Sequence, residues 1–154
     1  MVMMKNNKAP NPNLAACLLK FQWLPLSLLL FNLLSLSDAG VGTAARYNAP
    51  YIPTACYGSD TTEFPENNQF AAAGEGIWDN GAACGRQYLV RCISAPPPNS
   101  CISGSTIQVK IVDRAATAIS HPSAPRATLS LSSAAYSQLV NPPSAGFINI
   151  EYQQ

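Results

Sequence analysis

Asp113 is the side chain best placed to do chemistry in this sequence. It stands in KIVDRAATAISHPSAPRATLSLS, residues 110–132, with Arg114 directly after it and no further Asp or Glu until Glu151. A carboxyl group can move a proton, accept hydrogen bonds from a ligand, or pair with a cation. All three roles stay open for Asp113. The single histidine, His121, precedes Pro122 in a polar loop and is read as exposed and idle. With one histidine and no paired Cys spacing around it, a zinc site is not expected, and no cofactor is. Glu75 and Asp79 read as loop-solvating carboxylates, since nothing in the sequence places them beside Asp113.

The elements that must hold these residues are short. VGTAARY, 41–47, reads as a first strand. The stretch 51–68 is loop-like, broken by Pro53, Gly58 and Pro65. QFAAAGEGIW has helical composition for one turn before Gly74 and Gly76, and Asp79-Asn80-Gly81 marks a turn. In QYLVRCI, Tyr88, Val90 and Cys92 alternate with Leu89 and Arg91; in STIQVKIVD, Ile107, Val109 and Ile111 alternate with Gln108 and Lys110. SLSSAAYSQLVNPP reads as a helix capped by Ser132 or Ser133, with Ala135, Tyr136, Leu139 and Val140 on one stripe. GFINIEY closes the chain as a strand. Several short strands, one good helix and many turns predict a mainly β fold, a small barrel with a helix packed on it.

Residues 1–39 have the layout of a secretory signal peptide. Lys5, Lys8 and Lys20 precede FQWLPLSLLLFNLLSL, and Ser37 and Ala39 sit at −3 and −1 of a cut before Gly40. The apolar run, 21–36, is short for a membrane span, which needs about 20 residues. The domain expected is therefore 40–154, secreted to the extracellular space. It carries six basic and seven acidic residues, a net charge of −1. No basic patch is present to neutralise phosphates, so a nucleic-acid partner is excluded. Cys17 leaves with the signal, and Cys56, Cys84, Cys92 and Cys101 remain, an even number that in an exported domain reads as disulfides. Cys92 and Cys101 flank the loop ISAPPPNS and are expected to pair across it, leaving Cys56–Cys84.

GTAARY, ACYG, GIWDNGAACGRQYLVRC, STIQVKIVDR, ATLSLSSAAYSQL and AGFINIEY occur in that order. Together they resemble the expansin-like domain shared by plant natriuretic peptides, barwin-type proteins and the first domain of expansins. The chain is most similar to the natriuretic peptide-like members. The resemblance implies a six-stranded double-psi β-barrel with one or two short helices and two disulfides. It implies the same cysteine pairing. It also implies a third disulfide in many relatives, whose positions are Ala115 and Pro125 here, so residues 115–126 are expected to form an unstapled loop.

Related wall glycosidases use two carboxylates about 6.5–9.5 Å apart, one to protonate the leaving oxygen and one to activate water. The resemblance places one at Asp113. The other falls in a segment that reads TLSLS here, where Ser130 stands in place of the family's Asp. A serine hydroxyl is far too weak an acid to donate that proton near neutral pH. The chain is therefore expected not to be an enzyme. Thr43, Tyr47, Asp113 and Trp78 are the expected polysaccharide groove, while Thr43 as a plain strand former and Trp78 as a packing residue stay open. Segment 70–92 is the implied recognition surface, ending in Arg86, Tyr88 and Arg91, residue types favoured at protein contacts. The function implied is a secreted, monomeric, non-catalytic signalling or interaction protein of the apoplast, acting on water and ion balance and stress responses. Its partner would be a membrane receptor or another extracellular protein. The alternative is a non-hydrolytic wall polysaccharide-binding or wall-loosening module.

Overall fold

A computed structural model describes residues 39–118, 126–142 and 146–154. The proposed signal segment up to residue 38, the loop stretch 119–125 with His121 and Pro125, and 143–145 lie outside the described residues. The strands are β1 (Ala39–Tyr47), β2 (Phe70–Ala73), β3 (Gln87–Ser94), β4 (Thr106–Arg114), β5 (Leu129–Ser132) and β6 (Phe147–Gln153). Two short α-helices, α1 (Glu75–Trp78) and α2 (Ser133–Leu139), and one 3-10 turn, Asp79–Gly81, accompany them. The six strands close into a barrel in the order β1-β5-β2-β4-β3-β6. Two pairs are parallel, β1 with β5 and β2 with β4, and the other four are antiparallel.

Alternation fills the barrel. Ile107, Val109 and Ile111 of β4, Val90 of β3 and Ile148 and Ile150 of β6 point inward with Leu129 and Leu131 of β5. Tyr136 and Leu139 of α2 join the same core. At roughly 1.5–3 kcal/mol per fully buried large aliphatic side chain, this interior is the main stabilising term. The helix starts where its serines allow. Ser132 Oγ accepts from Ala135 N–H at 3.2 Å, which satisfies one of the orphan donors of the first turn.

FAAA, read from composition as helical, is strand β2. It lies between β4 and β5 and is buried along its whole length. Ala71 and Ala73 face the core and Ala72 faces out. Alanine's helix preference is a weak local term that pairing on both edges overrides. The helical turn forms after Gly74, as α1. The short β5, LSLS, lies just before the helix and carries no strand signal of its own in the sequence; it too is buried throughout.

A second apolar cluster lies on the outside of the barrel. Tyr47, Phe70, Ala72, Val112 and Ala115 pack there against Tyr51, Tyr57 and Phe64 from the long 48–69 connection. Edge-to-face contacts join Tyr47 to Tyr51 at 5.1 Å and Phe70 to Tyr51 and Phe64 at 4.9 and 4.8 Å. The connection is stapled by Cys56–Cys84 and tied at its end by Ser132 Oγ, which donates to Asn68 O at 2.6 Å. The second disulfide, Cys92–Cys101, closes the 93–100 loop. At Ala115, where the resemblance implies a cysteine, a buried methyl joins the outer cluster.

Gly74 is the tightest junction. Its N–H donates to Thr128 O at 2.9 Å, and a Cβ there would lie 2.1 Å from the carbonyl oxygen of Ala127. Backbone cannot yield as a flexible side chain can. Gly74→Ala is expected to destabilise the fold by about 2 kcal/mol, read as a lower urea midpoint with unchanged slope.

Candidate functional site

The β2–β4 ladder carries a bulge. Ala71 pairs with Ile111, but Ala72 pairs with Asp113, so Val112 and Asp113 together oppose one residue. Strict alternation after Ile107, Val109 and Ile111 would aim Asp113 into the core. The extra residue turns it to the outer face, as bulges do beside functional sites. Ala72 also pairs with Ser130 of β5, and Ser130 with Ala45 of β1. One row therefore runs Asp113, Ala72, Ser130, Ala45 across four strands, and Tyr47 lies two residues along β1 on the same face. Thr43 lies two residues the other way, half-buried, and its N–H donates to Thr128 Oγ1 at 3.2 Å.

The row is covered. Asp113 is 1% exposed, Tyr47 1% and Ser130 0%. Asp113 Oδ1 accepts from Ala55 N–H at 2.7 Å and from Arg114 N–H at 2.8 Å, so it ties the 48–69 connection to the barrel. Its Oδ2, the Tyr47 hydroxyl and the Ser130 hydroxyl are buried with no partner among the described residues. Burial raises the pKa of Asp113, against the lowering effect of the two backbone donors. Burial also raises that of Tyr47, helped by the Asp113 carboxylate and then by Tyr51. Within this row Asp113 is the only carboxyl group. Ser130 stands on the far side of β2 from it, about 10 Å away between Cα atoms by strand spacing. A single carboxyl engaged by two backbone donors can accept, and when protonated donate, but it cannot protonate a leaving group and activate water together.

Trp78 lines a groove whose lining does not include Thr43, Tyr47 or Asp113. It lies half-buried at the end of α1 and lines a groove of about 580 Å³ with Glu75, Asp79, Arg86, Tyr88 and Arg114. Arg114 sits 5.9 Å over the Trp78 ring and donates to both carboxylate oxygens of Glu75 at 2.9 Å. That bond holds the Glu75 carboxyl below its usual range. Arg86 donates to Asp79 at 2.7 Å. Arg114 thus leaves Asp113 free of any ion pair with its own neighbour. Glu75 and Asp79, read from sequence as solvated loop acids, are exposed partners of the groove arginines. Arg114 was not singled out from sequence; its signal was its place next to Asp113 at a strand end.

The expected recognition residues divide in the same way. Arg86 belongs to the Trp78 groove. Tyr88 is buried, its ring 5.9 Å from that of Tyr152. Arg91 stands on the outer face of β3 and pairs with Glu151 of β6. Around that pair the barrel exposes Val41 (75%), Leu89 (46%), Ile93 (49%) and Phe147 (47%). Among the described residues no group of three or more His, Cys, Asp or Glu could hold a metal ion, and no helix is long and apolar enough to cross a membrane.

Residues 71–152 match the family described as lytic transglycolase, a double-psi β-barrel family. The chain is 40% identical over 123 residues to an EG45-like domain containing protein of Citrus jambhiri, covering 78% of this chain and 85% of that one. It belongs to the EG45-like domain family. It is also 40% identical over 129 residues to putative EG45-like domain containing protein 1 of Arabidopsis thaliana, covering 82% of this chain and 92% of the relative. Among solved structures, apo Clavibacter michiganensis expansin aligns with a TM-score of 0.50 at 20% identity, over 76% of this chain and 50% of the expansin. A mutant of that expansin in complex with cellohexaose aligns with a TM-score of 0.51 over the same shares. That likeness shows the fold, and the EG45-like chain spans about half of the expansin's length. The expectation of a six-stranded double-psi barrel with two short helices and two disulfides holds.

The buried Asp113 of this EG45-like domain works against its stability at neutral pH. Its folded pKa lies above its usual 3.8, so its favourable contribution is full below that value and is lost as pH rises through the folded one. Asp113→Asn keeps an oxygen for Ala55 and Arg114 and carries no charge. It is expected to raise the thermal midpoint at neutral pH by several degrees, with the gain shrinking as the pH is lowered toward the usual carboxyl range. A lower midpoint at neutral pH would refute this.

Proposed function

We propose that this EG45-like chain is a secreted, non-catalytic module of the extracellular space and cell wall that acts by recognition. The observation that carries the reading is the row Asp113, Ala72, Ser130, which offers one carboxyl where two would be needed. Segment 1–39 is taken as the export signal and 40–154 as the exported domain. The interaction surface is the outer face of β1, β6 and β3, where Arg91 lies among Val41, Leu89, Ile93 and Phe147. Arginine flanked by apolar side chains is the composition favoured at protein contacts. The partner is a membrane receptor or another extracellular protein, and the role is regulation of water and ion balance as in natriuretic peptide-like proteins.

A second reading is polysaccharide binding without hydrolysis. Two things favour it: the open groove with Trp78, Arg86 and Arg114, and the cellohexaose bound by an expansin of the same fold. Thr43, Tyr47 and Asp113 support this reading only if the 48–69 connection lifts off them, because Tyr47 and Asp113 are buried beneath it.

Pull-down on cellulose and wall polysaccharides, run beside binding to plasma-membrane preparations, separates the two. Under the first reading Arg91→Ala weakens membrane binding about tenfold, a usual cost for a contact arginine, and Asp113→Ala leaves it unchanged. Retention on polysaccharide, lost in Trp78→Ala or Asp113→Ala, favours the second. Release of reducing sugar by the wild type refutes the non-catalytic assignment. A mass spectrum of the secreted protein is expected to start at Gly40 and show no free thiol.

A further inference from the structure

Three buried polar atoms on one face of the barrel have no hydrogen-bond partner among the described residues: Tyr47 Oη, Ser130 Oγ and Asp113 Oδ2. They come from three strands, β1, β5 and β4, and the pairing register draws them together. Ser130 and Asp113 flank Ala72, and Tyr47 sits one pleat beyond Ala45, the other neighbour of Ser130. Ala72 stands between Ser130 and Asp113, and Ala45 adjoins Ser130 on its other side, both fully buried. The floor is therefore shallow. Tyr51, Tyr57 and Phe64 of the 48–69 connection close over the neighbouring cluster, and Ala55 is fixed to the other oxygen of Asp113.

An unpaired buried hydroxyl or carboxyl oxygen costs about 1–3 kcal/mol, and three on one small face would be an uncommon burden. Internal waters satisfy such groups, each making about three hydrogen bonds in a polar pocket. Direct pairing does not solve the problem. Ser130 and Asp113 are separated by a whole strand, about 10 Å at Cα, and side chains that short leave a gap between their oxygens.

We propose that Tyr47 Oη, Ser130 Oγ and Asp113 Oδ2 share one internal water, held on the outer face of the barrel beneath the 48–69 connection. The chemistry balances. Water donates one proton to Asp113 Oδ2 and one to Ser130 Oγ or Tyr47 Oη, and accepts from the remaining hydroxyl. With a protonated Asp113, the carboxyl donates to the water and the water donates to both hydroxyls. The position where related sequences carry a second acid is then a hydration site built by Ser130, and the water couples β1, β4 and β5 to the connection through Asp113. This inference does not depend on the recognition reading above, since it concerns the resting protein with no ligand.

Two measurements test it on the intact protein. In an atomic-resolution crystal structure we expect one water within about 2.7–3.2 Å of all three oxygens. An apolar void, a direct Tyr47–Asp113 hydrogen bond, or a peak refining as a metal ion overturns the proposal. Independently, Tyr47→Phe, Ser130→Ala and the double variant are compared by urea unfolding. Each removes one oxygen and keeps the shape. Each single change is expected to raise the unfolding constant about fivefold. The double is expected to stay within about twofold of the worse single, because a water stripped of one partner no longer serves the other. Effects that multiply mean that no guest is shared, and the proposal fails.

Discussion

One bulge governs this protein. By setting Val112 and Asp113 together against Ala72, β4 turns a carboxyl group out of a barrel whose interior is otherwise apolar. The same oxygen then accepts from the backbone of Ala55 and of Arg114. The first bond docks the long connection onto the barrel, and the second rigidifies the strand end. Without the extra residue, Asp113 would fall between Ile111 and the core, where an unpaired carboxyl is costly enough to threaten folding. The bulge converts that liability into the clasp of the outer layer.

That clasp organises the outer face. Cys56–Cys84, the Ser132–Asn68 bond and the edge-to-face ladder of Tyr47, Tyr51, Phe70 and Phe64 all act on the same connection. Each is modest alone; a disulfide closing a loop of this size contributes about 3 kcal/mol in the loop-entropy account. Together they hold the face shut, so the residues with the chemistry are not the residues that meet solvent. The exposed chemistry is elsewhere: the ion-paired arginines around Trp78, and Arg91 among apolar side chains on β3 and β6. Exposed ion pairs of this kind add little to stability, and their geometry bears on partners more than on the fold.

The covered row of Asp113, Ala72, Ser130 and Ala45 holds one carboxyl group among small side chains. Ser130 sets a small hydroxyl beside the methyl groups of Ala45 and Ala72, and Ala72 belongs to the cluster on which Tyr51, Tyr57 and Phe64 of the connection pack.

The sequence by itself determined the long strands. Alternation in QYLVRCI, STIQVKIVD and GFINIEY marks their buried faces correctly, because a period of two survives wherever one face is apolar. It determined the serine cap and apolar stripe of α2, and the pairing of four cysteines followed from the Pro-rich loop between two of them. It also marked Asp113, the lone acid between Asp79 and Glu151, as the side chain to watch. Tertiary structure alone decided the rest. FAAA and LSLS are strands because neighbours on both edges supply hydrogen bonds that four-residue segments cannot encode. Asp113 faces outward only through a bulge, which depends on what lies opposite and leaves no periodic trace. Trp78 lines a groove with Arg86 and Arg114 while Tyr47 and Asp113 are buried, and Tyr88 points inward while Arg91 points out, because the path of the chain around a closed barrel sets which loops meet.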